Sequence, residues 1–328
     1  MRALQIASCE GGPRAEIVRL SDEELGEGDV SITVEFSAVN FKDGLAVTGA
    51  SPVMKRSPLV AGIDLAGVVE SAPAGSGLAA GDKVVVNGWG LAFDHNGGFA
   101  TRARVPASWV TQLPARFTTW QAMAIGTAGY TAALCALAIQ RHGVAPADGP
   151  LVVTGAAGGV GSVAIALLAS LGFEVHASTG RLAERDYLRV LGATEVLDRA
   201  ELSAPGPRPL ASERWAAGVD SVGSHSLVNV LSKIKYGGIV ANCGLAQGMD
   251  LPGSVAPFIL RSVTLAGIDS VNASTKKRVE AWDLLDAQLD TNHLELMTTT
   301  VGLDEIVSAA ERVLAGEVRG RTVVDVNA

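Results

Sequence analysis

The sequence holds only three cysteines in 328 residues, Cys9, Cys135 and Cys243. An odd number at such wide spacing builds neither a disulfide framework nor a Cys-x-x-Cys metal clip, and it fits a reducing, cytoplasmic compartment. Cations are also in deficit. With 26 Lys and Arg against 34 Asp and Glu, the formal charge is −8, and the basic residues are scattered, which argues against binding a nucleic-acid backbone. Any anionic ligand must therefore be held locally. Long apolar runs are missing as well. Met1 to Gly12 reads as a short strand and a turn, without the apolar region and cleavage site of a signal peptide. The longest apolar helix expected, around Val160 to Leu171, contains Ser162 and Ser170 and is too short to span a bilayer, so no membrane segment is predicted.

What is present is an apolar fraction of 48% and 38 glycines, which point to proper cores and many tight turns. A chain of this length is longer than one core usually serves, so two domains are expected. Up to about Pro114, short β runs alternate with Gly and Pro: Asp29 to Ser37, Ala66 to Val69, Lys83 to Asn87 and Gly98 to Val105. A helix follows from Ala122 to His142. From Leu151 the pattern becomes βαβ. Strands are expected at Leu151 to Thr154, Glu174 to Ser178, Val219 to Val222, Ile239 to Cys243 and Val263 to Ala266, with helices at Gly159 to Leu171 and Leu182 to Leu191. Ser203 to Pro209, with three prolines, reads as a surface loop. After Gly267 come helices at Thr275 to Leu289 and Asp304 to Leu314 and a last strand, Arg321 to Val326. The fold class is α/β, with a doubly wound parallel sheet at residues 121–267 and a β-rich domain at 1–120 that the tail, 268–328, rejoins.

The sharpest motif is Leu151-Val-Val-Thr-Gly155-Ala-Ala-Gly158-Gly159-Val160-Gly161, a strand running through a Gly-rich turn into a helix. In a dinucleotide site, Gly155 and Gly158 permit the turn, Gly159 admits a pyrophosphate close to the backbone, and Gly161 lets helix and strand pack tightly. The amides at the helix start, through Val160, then face the anion. The next strand ends in Ser178-Thr179-Gly180-Arg181, where NAD-preferring proteins commonly carry an acid for the ribose hydroxyls. Here two hydroxyls and a guanidinium suit the 2′-phosphate of NADP(H), although Arg181 also fits an ordinary solvated residue. Arg199 either flanks the adenine or is plain surface.

Nearly the whole chain resembles the zinc-free medium-chain dehydrogenases/reductases, most closely the acryloyl-CoA reductase branch, historically called quinone oxidoreductases. The segments that carry the resemblance include Asn40-Phe-Lys-Asp43, Gly62-Ile-Asp-Leu-Ala-Gly67, Gly88-Trp-Gly90, Gly97-Gly-Phe-Ala100, Gly126-Thr-Ala-Gly129, the Gly-rich turn, Tyr236-Gly-Gly238, Cys243-Gly-Leu245, Pro257-Phe-Ile-Leu-Arg261, Gly267-Ile-Asp-Ser270 and Gly320-Arg-Thr322. The resemblance implies a GroES-like β-rich domain, a Rossmann domain, a cofactor lying between them, and a homodimer paired along Val255 to Leu265. It implies no zinc, since Asn40 to Asp43 and Gly62-Ile63-Asp64 stand where the zinc enzymes carry ligands, and it leaves Asp64 as a turn or packing residue.

The same resemblance implies NADPH-dependent reduction of an activated double bond, with a short enoyl-CoA such as acryloyl-CoA as substrate. Thr127, Leu245, Ser270 and Arg321 are implied at the nicotinamide end of the cofactor, and Phe41 beside it. The family commonly has Asn-Tyr-Lys-Asp where this chain has Asn40-Phe41-Lys42-Asp43, and Phe41 cannot donate a proton. Lys42, Asp43, water held by Asn40, or solvent remain as donors, and Lys42 and Asp43 fit a fixed ion pair equally well. Asn87, Trp89 and His95 lie on loops resembling the substrate wall, with His95 fitting a loop hydrogen-bonding role better than an acid. Lys55 and Arg56 form a basic pair that is either ordinary solvated charge or a contact for coenzyme A phosphates. Two other readings keep the cofactor site: a quinone or free-enone reductase, and a non-catalytic NADPH-binding protein.

Overall fold

The computed structural model describes every residue except Gly11 and Pro207; both fall within segments expected as a turn and a loop, and lie outside the described residues. The chain divides into two compact units. One comprises Met1–Thr127, Val271–Asp286 and Leu294–Ala328; the other comprises Ala128–Ser270 and Ala287–His293.

Along the chain, the first unit opens with β1 (Arg2–Cys9), β2 (Gly12–Arg19), β3 (Val30–Val39), α1 (Phe41–Thr48), β4 (Leu59–Val60), β5 (Asp64–Ser71), β6 (Lys83–Asn87), β7 (Arg102–Val105) and β8 (Thr111–Gln112). A long helix, α2 (Thr119–His142), carries the chain onward. The second unit contains β9 (Leu151–Val153), α3 (Gly159–Ser170), β10 (Val175–Thr179), α4 (Arg185–Val190), β11 (Ala193–Asp198), α5 (Ala200–Ser203), β12 (Trp215–Asp220), α6 (Ser224–Leu231), β13 (Ile234–Asn242), α7 (Ala256–Arg261) and β14 (Thr264–Gly267). The tail adds α8 (Thr275–Gln288), α9 (Asn292–Met297), β15 (Thr298–Gly302), α10 (Ile306–Leu314) and β16 (Arg321–Asp325).

In the first unit, β16 lies antiparallel to β3, so the last strand completes the sheet begun at residue 30; the order is β15-β16-β3-β5-β6-β8, with β7 also on β3. Its core gathers Ile32, Val34, Leu65, Val84, Val86 and Phe99 with Ile306 and Val324 from the tail. Strand β7 starts at Arg102, later than the Gly98 expected, because Gly97 and Gly98 are pressed against backbone. A Cβ on Gly98 would stand 1.9 Å from the Asp64 carbonyl oxygen, which only glycine tolerates.

The second unit is a six-stranded, all-parallel sheet in the order β11-β10-β9-β12-β13-β14. Counted within the unit, this is 3-2-1-4-5-6, the doubly wound dinucleotide order, whose ligand crevice opens where the order reverses, between β9 and β12. Strands β10 and β12 are buried on both faces, all five and all six of their residues respectively, as parallel strands covered by helices require. The segment around Val255 to Leu260, expected at a sheet edge, forms helix α7 instead, because Pro257 fits the first turn of a helix. The edge itself is β14.

Helix α2 begins three residues before the Ala122 expected and is longer than the Val160 to Leu171 run read as the longest apolar helix. By length and composition it is the one described helix that could cross a membrane, yet 83% of its apolar stretch is buried inside the protein, as in a core helix.

Candidate active site

The Gly-rich turn takes the shape its sequence dictates. Gly155 sits at φ +61°, the left-handed region that glycine populates freely. Gly158 is extended and caps α3, and its amide donates to the Gly155 carbonyl at 2.9 Å. A Cβ on Gly161 would stand 2.4 Å from the Gly155 oxygen and 2.6 Å from Cα of Ala156, so helix and turn close only because position 161 has no side chain. Gly158, Gly159 and Val160 are half-buried at the start of α3. Their amides begin a twelve-residue helix with no acidic residue in its first turn, an arrangement that favours an anion.

Beside this turn, Ser178 and Thr179 end β10. Thr179 Oγ1 accepts the backbone amide of Arg181 at 3.1 Å, which turns the arginine back toward the turn. Its Nη2 donates to the Ala157 carbonyl at 2.9 Å, while its Nη1 is buried with no partner. A buried guanidinium donor left unpaired is costly, and an incoming phosphate would satisfy it. Arg199 is exposed, its chain running over Gly180, where a Cβ would meet Arg199 Nε at 2.5 Å.

In the same unit, Leu245 is 46% exposed and lines a groove of about 580 Å³ with Cys243, Met249, Leu265 and Ile268. Ser270 is half-buried just beyond Gly267. Cys135 and Cys243 are free thiols hydrogen-bonded to each other; that contact, with burial, pushes the Cys135 thiol well above its ordinary value.

The first unit contains a buried polar cluster that sequence reasoning had divided among separate roles. Its centre is Asp64, fully buried at the start of β5. Oδ1 accepts Asn87 Nδ2 at 2.7 Å and Thr127 Oγ1 at 2.5 Å; Oδ2 accepts Asn40 Nδ2 and the Thr127 amide, both at 2.8 Å. Asp64 is therefore a hub of hydrogen bonds, a correction to its expected place as a turn or packing residue. The carboxylate reaches the Thr127 amide because α2 breaks at Gly126, whose φ of +51° frees the next amide. The break also makes room: a Cβ on Gly126 would stand 2.4 Å from Arg321 Nη2 and 3.0 Å from Asp64 Oδ2.

Arg321, from β16, brings the countercharge. It is 3% exposed; Nε donates to the Ala124 carbonyl at 3.2 Å, Nη1 to Asn40 Oδ1 at 3.0 Å, and Nη2 stands 4.0 Å from Asp64 Oδ2. Burial lowers its pKa from the ordinary arginine value, opposed by the charges of Asp64 and Asp43.

Asn40 and Asp43 form a capping box at the start of α1, as an Asn followed three residues later by an acid can do. Asp43 Oδ2 accepts the Asn40 amide at 2.8 Å and Asn40 Nδ2 at 3.1 Å, and Oδ1 accepts the Ile63 amide at 2.9 Å. Burial first, then the nearby Asp64 carboxylate, raise the Asp43 carboxyl to about 7. Lys42 points elsewhere. Its ammonium lies 5.1 Å from the centre of the Phe93 ring, and the ion pair expected between Lys42 and Asp43 does not form. Phe41 is 41% exposed.

Of the loop residues, Asn87 joins the cluster, and Trp89 stacks on Trp109 beneath the Arg278 guanidinium. His95 is engaged at both ring nitrogens, with the Glu27 and Asn96 carbonyl oxygens at 2.6 and 2.9 Å, the loop role expected of it. Among the described residues, no three His, Cys, Asp or Glu side chains gather as a metal-binding group.

Comparison with known proteins places this geometry. Residues 26–115 match the alcohol dehydrogenase GroES-like domain, and residues 159–287 the zinc-binding dehydrogenase family. The chain is 46% identical over 318 residues to the acrylyl-CoA reductase AcuI of Ruegeria pomeroyi, covering 97% of this chain and 96% of that one. It is similar to the crystal structure of YhdH from Escherichia coli K-12 with bound NADPH, at 42% identity and a TM-score of 0.96, covering 99% and 100% of the two chains. It is also similar to Bacillus subtilis YhfP with NAD bound, at 37% identity and a TM-score of 0.94, over 99% and 98% of the two chains.

Proposed function

Because the chain belongs to the zinc-independent medium-chain dehydrogenase/reductase family, in its acryloyl-CoA reductase branch, we propose that it reduces the double bond of a short enoyl-CoA, such as acryloyl-CoA to propanoyl-CoA, using NADPH. The observation that carries this reading is the end-to-end likeness to an acrylyl-CoA reductase at 46% identity. The unpaired Nη1 of Arg181 supports NADPH as the cofactor.

In this reading the amides from Gly158 to Gly161 hold the pyrophosphate, and Ser178, Thr179 and Arg181 hold the 2′-phosphate, with Arg199 at the adenine side. Thr127, Leu245, Ser270, Phe41 and Arg321 belong to the nicotinamide end. When bound, the nicotinamide supplies a hydride for the β-carbon. Thr127 donates both its amide and its hydroxyl to Asp64, so its hydroxyl oxygen presents lone pairs in a fixed direction. Asn40 and Asp43 are positioning residues: every polar atom of Asp43 accepts from a neighbour, and Asn40 links Asp43, Asp64 and Arg321. With no hydroxyl at Phe41, Asp43 enclosed and the Lys42 ammonium held over the Phe93 ring, water rather than Lys42 or Asp43 supplies the proton at the α-carbon.

The homodimer is part of the same proposal. Strand β14 pairs with β13 at the end of the sheet order, and α7 before it presents Val255, Ile259 and Leu260 at 64%, 71% and 61% exposure, an apolar patch of the kind that marks an interface. A cytoplasmic location accords with three free thiols.

The test is NADPH oxidation by the purified protein with acryloyl-CoA, beside a quinone. NADPH-specific turnover of the thioester is expected. Turnover of the quinone with an inert thioester would overturn the substrate assignment.

A further inference from the structure

The acryloyl group of the proposed substrate is small and uncharged, whereas its coenzyme A carrier is a polyanion. A protein of net charge −8 needs a local cluster of cations to receive such a ligand. The fold builds one next to Phe41. Lys42, on α1, and Lys55, in the loop before β4, place their ammonium groups 5.1 and 4.6 Å from the centre of the same Phe93 ring. Lys55 is anchored there by its amide, which donates to the Phe93 carbonyl at 2.7 Å. Arg56 is held beside it by Nη1 on the Asp94 carbonyl at 2.9 Å. Lys55 and Arg56 are neighbours in sequence, and the fold brings Lys42 and Phe93 to them.

Resting on the acyl-CoA reading above, we propose that Lys42 and Lys55 on the Phe93 ring, with Arg56 beside them, form the binding site for a phosphate of the coenzyme A carrier. Neither ammonium has a carboxylate at ion-pair distance or a hydrogen-bond acceptor among the described residues. A cation–π contact at an exposed site is weak, and two ammonium groups on one ring carry like charges that repel. A dianion shared between them removes that repulsion. Lys42 is half-buried, and desolvation lowers its pKa ahead of the opposing pull of Asp43 and Asp94. The acids acting on Lys42 are the enclosed Asp43 and the exposed Asp94, and Arg56 lines a neighbouring cavity together with Glu23, Glu24 and Glu27. Lysines bind phosphate as point charges, so this site recognises the carrier's charge, leaving the acyl group to contacts elsewhere.

The experiment is calorimetric titration of the NADPH-bound protein with coenzyme A and, in parallel, with phosphate-free pantetheine. Wild type, Lys42→Gln, Lys55→Gln and, as a charge control on an exposed strand position, Lys83→Gln are compared. Coenzyme A affinity is expected to fall about tenfold in each of the first two and to hold in the third, and NADPH affinity is expected to hold in all. Equal coenzyme A affinity in all four proteins, or an equal loss with Lys83→Gln, overturns the site, as does a wild type that binds coenzyme A no better than pantetheine. Failure of the substrate reading is separate: it shows as coenzyme A binding without turnover of acryloyl-CoA.

Discussion

Thr127 donates its backbone amide and its hydroxyl to the two oxygens of one buried carboxylate, that of Asp64, at 2.8 and 2.5 Å. One acid thereby fixes both the backbone at the break in α2 and the direction of the Thr127 hydroxyl. The same carboxylate receives Asn40 and Asn87 and faces Arg321, so strands β3, β5, β6 and β16 meet at a single residue.

Asp64→Asn tests how much depends on that charge. A carboxamide of the same size accepts at its oxygen but turns an NH₂ toward donors that need an acceptor, and Arg321 loses its nearest anion. Removing one partner of a buried charged group costs about 3–5 kcal/mol, and a loss of that size is expected in urea denaturation. NADPH affinity should also weaken as Thr127 shifts. Unchanged stability would show that the Asp64 carboxylate contributes nothing to the fold.

The sequence makes the fold legible through its periodicity, and the dinucleotide turn through its glycines and the strand and helix on either side. Lys83 to Asn87, the last residue of α10 at Leu314 and the first residue of β16 at Arg321 lie where hydrophobic periodicity puts them, since local pattern and tertiary packing agree there. The break in α2 is not legible locally, because nothing near Gly126 signals that Arg321, 195 positions away, occupies the space its Cβ would fill. Asp64 was misread for the same reason: its four donors come from residues 40, 87 and 127, and no local spacing signals that convergence. The capping box of Asn40 and Asp43 carried a signal, the i, i+3 spacing before a helix, and it explains these side chains as fixed by one another.

Asp43 predicts a specific pH dependence. Its folded pKa of about 7 lies above the unfolded value of about 3.9, so the folded state keeps a proton that the unfolded chain has released. The contribution is fully present below pH 4 and is lost as the pH rises through 7, with a slope of up to about 1.4 kcal/mol per pH unit. Other carboxylates act in the opposite direction, so the informative quantity is the difference from Asp43→Asn, which cannot titrate. The stability gap, wild type minus variant, is expected to be largest at about pH 4 and to fall by about pH 8, with most of the change between the two pKa values. A gap that stays constant across this range would show that the Asp43 carboxyl is not raised.

In the proposed cofactor site, Arg181 is the residue expected to separate the two nicotinamide cofactors. Its Nη2 is already engaged by the Ala157 carbonyl, which fixes the guanidinium against the Gly-rich turn, while Nη1 is buried without a partner. NADPH brings a 2′-phosphate that such a donor can meet with a charge-assisted hydrogen bond contributing about 1.5–3 kcal/mol; NADH brings only a ribose hydroxyl. Arg181→Ala should therefore weaken NADPH by roughly 10- to 100-fold in fluorescence titration, on the scale of tenfold per 1.4 kcal/mol, and leave NADH nearly unchanged. Because Arg181 lies at the end of β10 and is not part of the sheet core, the melting temperature without cofactor should hold. Equal weakening of both cofactors would instead make Arg181 a support for the turn through Ala157, and the preference for NADPH would then rest on Ser178 and Thr179.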